Sequence, residues 1–375
     1  MLNLADDFER EDLDYQLDLI RLEEGETEQA IRRLILLQRD ILQALREIDP
    51  AGTTSVAARR ARLEKFLDVI SVQMRRTYAA IARRQEEVAA AVAEDTSDRL
   101  AEVLLLLLGI DLLRALTKNQ ATTLAGKPLY GETLADSWKV RSAGDLVEIR
   151  VELSRAVEGQ QTLSRMVDIL KGTAQAKSQD GLFAAHQRHA ETLVRTQIQA
   201  AANRARYETF VRNPELIKGL QAKNPLDART STICRARAGK AWTLDGRALK
   251  GTNIVWPGPP PWHFRCRTVL IPIFHRFEDI AGSLTTDQRR RLEQLSAEKK
   301  AGIDGQPAGE LTFQFYLESL SEEQQRKLLG PGRYKLWKKK KISMSDLITS
   351  TGKPMTLEQL RERIAQRKNR RVPQP

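Results

Sequence analysis

This chain of 375 residues is short of cysteine, histidine, aromatic side chains and long apolar runs. Its two cysteines cannot build a disulfide framework, and such usage fits an intracellular chain. The strongest apolar run, Val103 to Ile110, lies between Glu102 and Asp111. It is far shorter than the roughly 20 residues that cross a bilayer, so it reads as a buried helix segment and no membrane contact is expected. Met1 to Arg10 is acidic and has no apolar centre, so no secretory leader is expected. There is no phosphate-cradling Gly-Lys-Ser/Thr loop, no strand-flanked Gly-x-Gly-x-x-Gly, no Gly-x-Ser-x-Gly elbow and no repeat of solenoid length. His186 and His189 stand three apart without the acidic residue of a zincin motif and read as surface histidines. These absences lead to the expectation that the chain is not an enzyme.

Basic charge is plentiful. Lys and Arg number 61 against 49 Asp and Glu, a formal net charge of +12. That balance favours phosphate partners without implying sequence reading. Two runs concentrate it: Lys338, Lys339, Lys340 and Lys341 after Trp337, and Arg367, Lys368, Arg370 and Arg371 near the end. They are candidate contacts to double-stranded DNA, to an acidic subunit, or to solvent alone.

Apolar periodicity predicts mostly helix. Leu34, Leu37, Ile41, Leu45 and Ile48 share a face of a helix over 9–48. Phe66, Ile70, Met74, Tyr78 and Ile81 do so over 55–93, and Asp95-Thr-Ser-Asp98 is read as a restart before a third helix to about Thr117. These stripes fit either a bundle packed on itself or an arm docking on another subunit. Gly126 to Asp136 is a turn-rich connector, and helices are predicted over 142–157, 162–171, 182–212 and 281–300. Lys223 to Leu226 is a possible edge strand, weakened by Pro225, and Arg267 to Ile273 reads as a strand. The expected fold is mainly α with a small α+β core. Residues 1–120 form helical arms or a bundle, 121–180 a connector, 181–280 the compact core and 281–375 a basic helical tail.

Both cysteines fall in one stretch. Asp227, Cys234, His263 and Cys266 offer a zinc set, with only three good ligands among them. The cysteines alternatively pair as a disulfide, or pack as small buried groups while Asp227 holds a turn. Trp242, Trp256 and Trp262 crowd the same stretch and read as a local core, with base stacking as the other use.

The order Leu226-Asp227-x-Arg229-Thr230-Ser231-x-x-Cys234-Arg235-Ala236-Arg237, then Pro259-Pro260-Pro261-x-His263-x-x-Cys266-Arg267, resembles the phage Mu F-like head morphogenesis family. Arg195, Thr196 and Asn203 upstream match the same pattern, and the likeness spans roughly residues 126–362. Some members carry a Cys near Ser231 that would complete a metal set, and this chain does not. The resemblance implies a minor head protein of a tailed phage or prophage. Such a protein acts inside the procapsid, in contact with the portal and other head proteins and then with packaged DNA. It is made in the host cytoplasm and carried in the virion. Two alternatives stay open: a zinc-stabilised nucleic-acid-binding module, and a metal-dependent hydrolase using His263.

Overall fold

The computed structural model describes residues 4–225, 230–249, 251–306, 317–318, 321–339, 342, 344–347 and 355–369. It is mainly helical with one small antiparallel sheet. Six helices come first: α1 (Leu4–Ile48), α2 (Val56–Leu108), α3 (Lys118–Ala125), α4 (Leu134–Glu158), α5 (Leu163–Lys171) and α6 (Leu182–Val211). Then follow β1 (Ile217–Lys223), α7 (Thr232–Arg237), β2 (Ala241–Thr243) and β3 (Val269–Phe274). Short helices complete the chain: α8 (Phe277–Ser283), α9 (Thr286–Glu293), α10 (Ala297–Gly302), α11 (Glu322–Leu329), α12 (Pro331–Lys338) and α13 (Leu357–Asn369).

The chain divides into two compact units that do not follow chain order. One gathers residues 1–16, 94–117 and 202–375; the other gathers 17–93 and 118–201. Helices α1, α2 and α6 each contribute residues to both. In the all-helical unit the predicted stripes are consumed internally. Leu34, Ile41 and Leu45 of α1, and Phe66, Ile70, Met74, Tyr78 and Ile81 of α2, are all buried. This is the outcome expected of a bundle packed on itself. Trp138 is buried with them, and its indole N–H donates to Gln197 at 3.0 Å.

The unit that carries the sheet has a core of Leu4, Phe8, Leu100, Val103, Leu104, Phe210, Leu220, Leu270 and Phe274. Phe8 sets its ring edge-on to Phe210 and Phe274, at centroid distances of 6.3 and 5.9 Å. Burying such a side chain contributes roughly 2 kcal/mol over leaving it exposed. The predicted restart at Asp95–Asp98 does not occur, since α2 runs through it. Thr96 and Ser97 point inward instead and are satisfied there: Thr96 bonds the Tyr15 hydroxyl at 2.6 Å and Ser97 the Thr209 hydroxyl at 2.7 Å. Polar side chains that read as a cap are interior contacts. The helix ends at Gly109, whose positive φ of 68° suits a helix stop.

Three other boundaries differ from expectation. Helix α4 begins at Leu134 because Thr133 caps it, accepting from the Asp136 amide at 3.1 Å. The expected helix over 281–300 is three short ones, α8 to α10, because Thr285 and Ser296 each start a new helix as N-caps. The strand expected at Lys223 to Leu226 lies earlier, as β1, and is central: the sheet order is β2-β1-β3. Leu220 pairs with Trp242 on one side and Pro272 on the other. Gly219 makes this possible, because a Cβ there would sit 2.5 Å from the Trp242 carbonyl oxygen.

Candidate functional site

The two cysteines meet. Ser231 is the N-cap of α7, and its Oγ accepts the Cys234 amide at 3.2 Å, which sets Cys234 on the first turn. Downstream, a turn in which the Cys266 amide donates to the His263 carbonyl at 3.2 Å brings the second segment up to it. The sulfurs lie 3.6 Å apart and both cysteines are buried. A disulfide needs about 2.05 Å, so these are free thiols.

His263 stands over them. Its Nδ1 lies 2.7 Å from the Phe264 carbonyl oxygen, which can only accept, so that nitrogen carries a proton. Its Nε2 is therefore turned to Cys234 Sγ at 3.0 Å and Ser231 Oγ at 2.7 Å. Thr268 donates its hydroxyl to Cys234 Sγ at 3.1 Å. Within the thiol pair, the hydrogen bond from Cys234 lowers the Cys266 pKa, with His263 adding to it. The same bond, with burial, raises that of Cys234. The two thiols are coupled, so the pair resists losing both protons together. Burial pulls the His263 pKa down, but its contacts to Cys266 and to the Phe264 carbonyl outweigh this and leave it raised.

Two sulfurs and an imidazole nitrogen suit zinc, which takes such donors tetrahedrally. A ring with its far N–H tied to a carbonyl is the usual outer support of a metal-binding histidine. Cys234 and His263 border a cleft that is also lined by Asn224, Thr230, Arg265 and Arg267. Without a metal, the same contacts make a locked polar knot.

Among the other residues singled out, Thr230 and Arg267 border this cleft, with Arg267 Nη2 3.5 Å from the Thr230 hydroxyl. Pro260 joins Pro261 through a cis peptide bond. Asn203 donates to the Thr268 carbonyl at 3.0 Å and so braces the approach to β3. Arg195 pairs with Glu191 and Glu23, and Thr196 bonds the Thr192 carbonyl of its own helix. Lys338 and Lys339 are exposed. Asp227, Arg229, Lys340, Lys341, Arg370 and Arg371, and the side chains of Arg367 and Lys368, lie outside the described residues.

The tryptophans form the expected local core. Trp242 is fully buried, 5.2 Å from the Trp256 ring, and its N–H donates to the Ile254 carbonyl at 2.8 Å. Three contributors were missed in the sequence. Ser231 read only as a motif position lacking a cysteine, Thr268 as a strand residue, and Arg237 as a motif position with no role assigned. Arg237 is buried with its guanidinium 4.6 Å over the Trp262 ring, and burial lowers its pKa. His186 and His189 also require correction. His186 is buried at 3% exposure and His189 is half-exposed, because both face α4. No family model matches the chain, and no curated protein or solved structure does either.

Proposed function

We propose that this chain is a minor head protein of a tailed phage or prophage, a structural subunit that acts in head morphogenesis. One observation carries the reading: the residues of the Mu F-like pattern, drawn from two segments about thirty positions apart, converge as Ser231, Cys234, His263 and Cys266 in one knot around the buried cysteines. A motif that served only composition would have no reason to close in space. Contact with the portal and with packaged DNA belongs to the same proposal, supported by the net charge of +12 and the exposed Lys338 and Lys339. Mass spectrometry of DNA-filled particles from the source strain tests it. The chain should be present at a few copies per particle; its absence from filled and empty heads alike sinks the reading.

A second reading, a zinc-stabilised module that binds nucleic acid, is favoured by the orientation of His263, whose Nε2 is aimed at Cys234. Stoichiometric zinc in the purified protein, lost with Cys234→Ala, would support it.

A further inference from the structure

A second cluster lies in the all-helical unit. Asp145 and Glu148 are three residues apart on α4, and His186 and His189 are three apart on α6. That spacing puts each pair on one face of its helix. The two faces meet. His186 Nε2 is 3.6 Å from Asp145 Oδ1 and 3.4 Å from Glu148 Oε2, and His189 Nδ1 is 3.8 Å from Asp145 Oδ1. Asp145 and His186 are buried, whereas the side chains of Glu148 and His189 keep 38% and 41% of their exposure.

The atoms that face one another are not hydrogen-bonded. His186 Nε2 and His189 Nδ1 are each buried without a hydrogen-bond partner among the described residues, whereas Asp145 Oδ1 has the Arg141 guanidinium as its ion-pair partner. Orphaned polar atoms in an interior are uncommon and call for an explanation. A charged imidazole on a carboxylate would close to about 2.7–2.9 Å, shorter than any of these separations. One donor atom each of Asp145, Glu148 and His189 lies within 4.8 Å of the others, near the roughly 3.4 Å edge of a tetrahedron with arms of about 2.1 Å. The outward atoms already have support: Tyr78 donates its hydroxyl to Asp145 Oδ2, and Arg141 bonds Glu148 Oε1 at 2.8 Å. Arg141 also contacts Asp145 Oδ1, the oxygen that faces the two histidines. Two carboxylates and one guanidinium leave the cluster one negative charge in excess.

We infer that Asp145, Glu148 and His189, with His186 beside them, form a binding site for a divalent transition cation that pins α4 to α6. Imidazole nitrogen with carboxylate oxygen is the donor chemistry of zinc and its first-row neighbours. The partly exposed Glu148 and His189 give the ion a way in. This site is independent of the thiol cluster and of the proposed role in the head.

The test uses the full chain, stripped with chelator and titrated with cobalt(II) and zinc(II). Cobalt on the thiol cluster gives a thiolate charge-transfer band; cobalt on the α4–α6 cluster does not. The expected result is a second equivalent of cobalt bound without that band, and weakened at least tenfold in His189→Ala and in Glu148→Gln. Zinc should raise the melting temperature of a Cys234→Ser, Cys266→Ser background by several degrees, and should not do so once His189→Ala is added. Both test residues are partly exposed, and melting in chelator checks that each variant folds; if one does not, the other decides. No band-free cobalt binding in the wild-type chain, or binding unchanged in both variants, overturns the inference.

Discussion

Asp12 and Arg206 form a two-pronged ion pair, with both nitrogen–oxygen distances at 2.9 Å and both side chains closed off from solvent. Arg206 reaches on to the Leu270 carbonyl at 3.5 Å, so one guanidinium ties the start of α1 to β3. Removing the acid strands a buried cation. Asp12→Ala should cost about 3–5 kcal/mol in urea unfolding, and Asp12→Asn, which keeps an acceptor, less. Replacing both with apolar residues of like volume, Asp12→Leu with Arg206→Met, should cost less than Asp12→Ala alone. If Asp12→Ala is neutral, the pair does not hold this part of the protein.

Ser231 serves both as the cap of α7 and as a neighbour of His263. Ser231→Ala should lower stability by about 1 kcal/mol through loss of the cap. Ser231→Cys would add a third thiol to Cys234, Cys266 and His263, giving a four-donor set. It should tighten zinc binding by an order of magnitude or more, as read by competition with a chelating dye. A Ser231→Cys chain no better at holding zinc than wild type would show that the hydroxyl does not stand in a ligand position.

Glu23 is buried and accepts from Gln199 at 2.6 Å, with Arg195 at 3.4 Å. Burial raises its pKa above 4.5, although Gln199 and Arg195 pull the other way. The folded protein therefore holds more protons than the unfolded chain as pH rises past 4.5. Glu23's contribution is full below that pH and is lost as pH climbs through its folded value. Glu23→Gln keeps an acceptor for Gln199 and removes the loss. Its stability relative to wild type should rise between pH 5 and pH 7, measured by denaturant melts at both. A relative fall over that interval contradicts the assignment.

The proposed DNA contact through the tail would carry a salt signature. Binding to a short duplex should weaken steeply with salt, and Lys338→Ala with Lys339→Ala should make the slope of log K against log salt shallower by about 1.8. Removing the chain from Arg361 onward should reduce binding further. Affinity that does not change with salt would rule out a phosphate-led contact.

The helices were legible because their stripes repeat at helical spacing and are buried where expected, as with Leu34, Ile41 and Leu45. The convergence of Cys234, His263 and Cys266 was legible because scarce residues were concentrated in two short segments. What escaped was set by partners distant in sequence. Thr96 and Ser97 look like a cap until Tyr15 and Thr209 are beside them. β1 contains Lys218, Gly219 and Gln221, and its central place depends on Gly219 admitting the Trp242 backbone. His186 and His189 seemed to lack acids because theirs come from α4, some forty residues earlier.

The outer margin of β3 carries one more consequence. The amide and carbonyl of Ala222 are both engaged with Gly239 and Lys240, so Leu270, its partner across the ladder, turns its own carbonyl outward. There Arg206 occupies it, as Asn203 occupies that of Thr268. Two residues on, Pro272 has no N–H to offer. A foreign segment seeking to extend the ribbon meets two acceptors already engaged and a donor missing, so crowding many copies together should not propagate fibres from this margin.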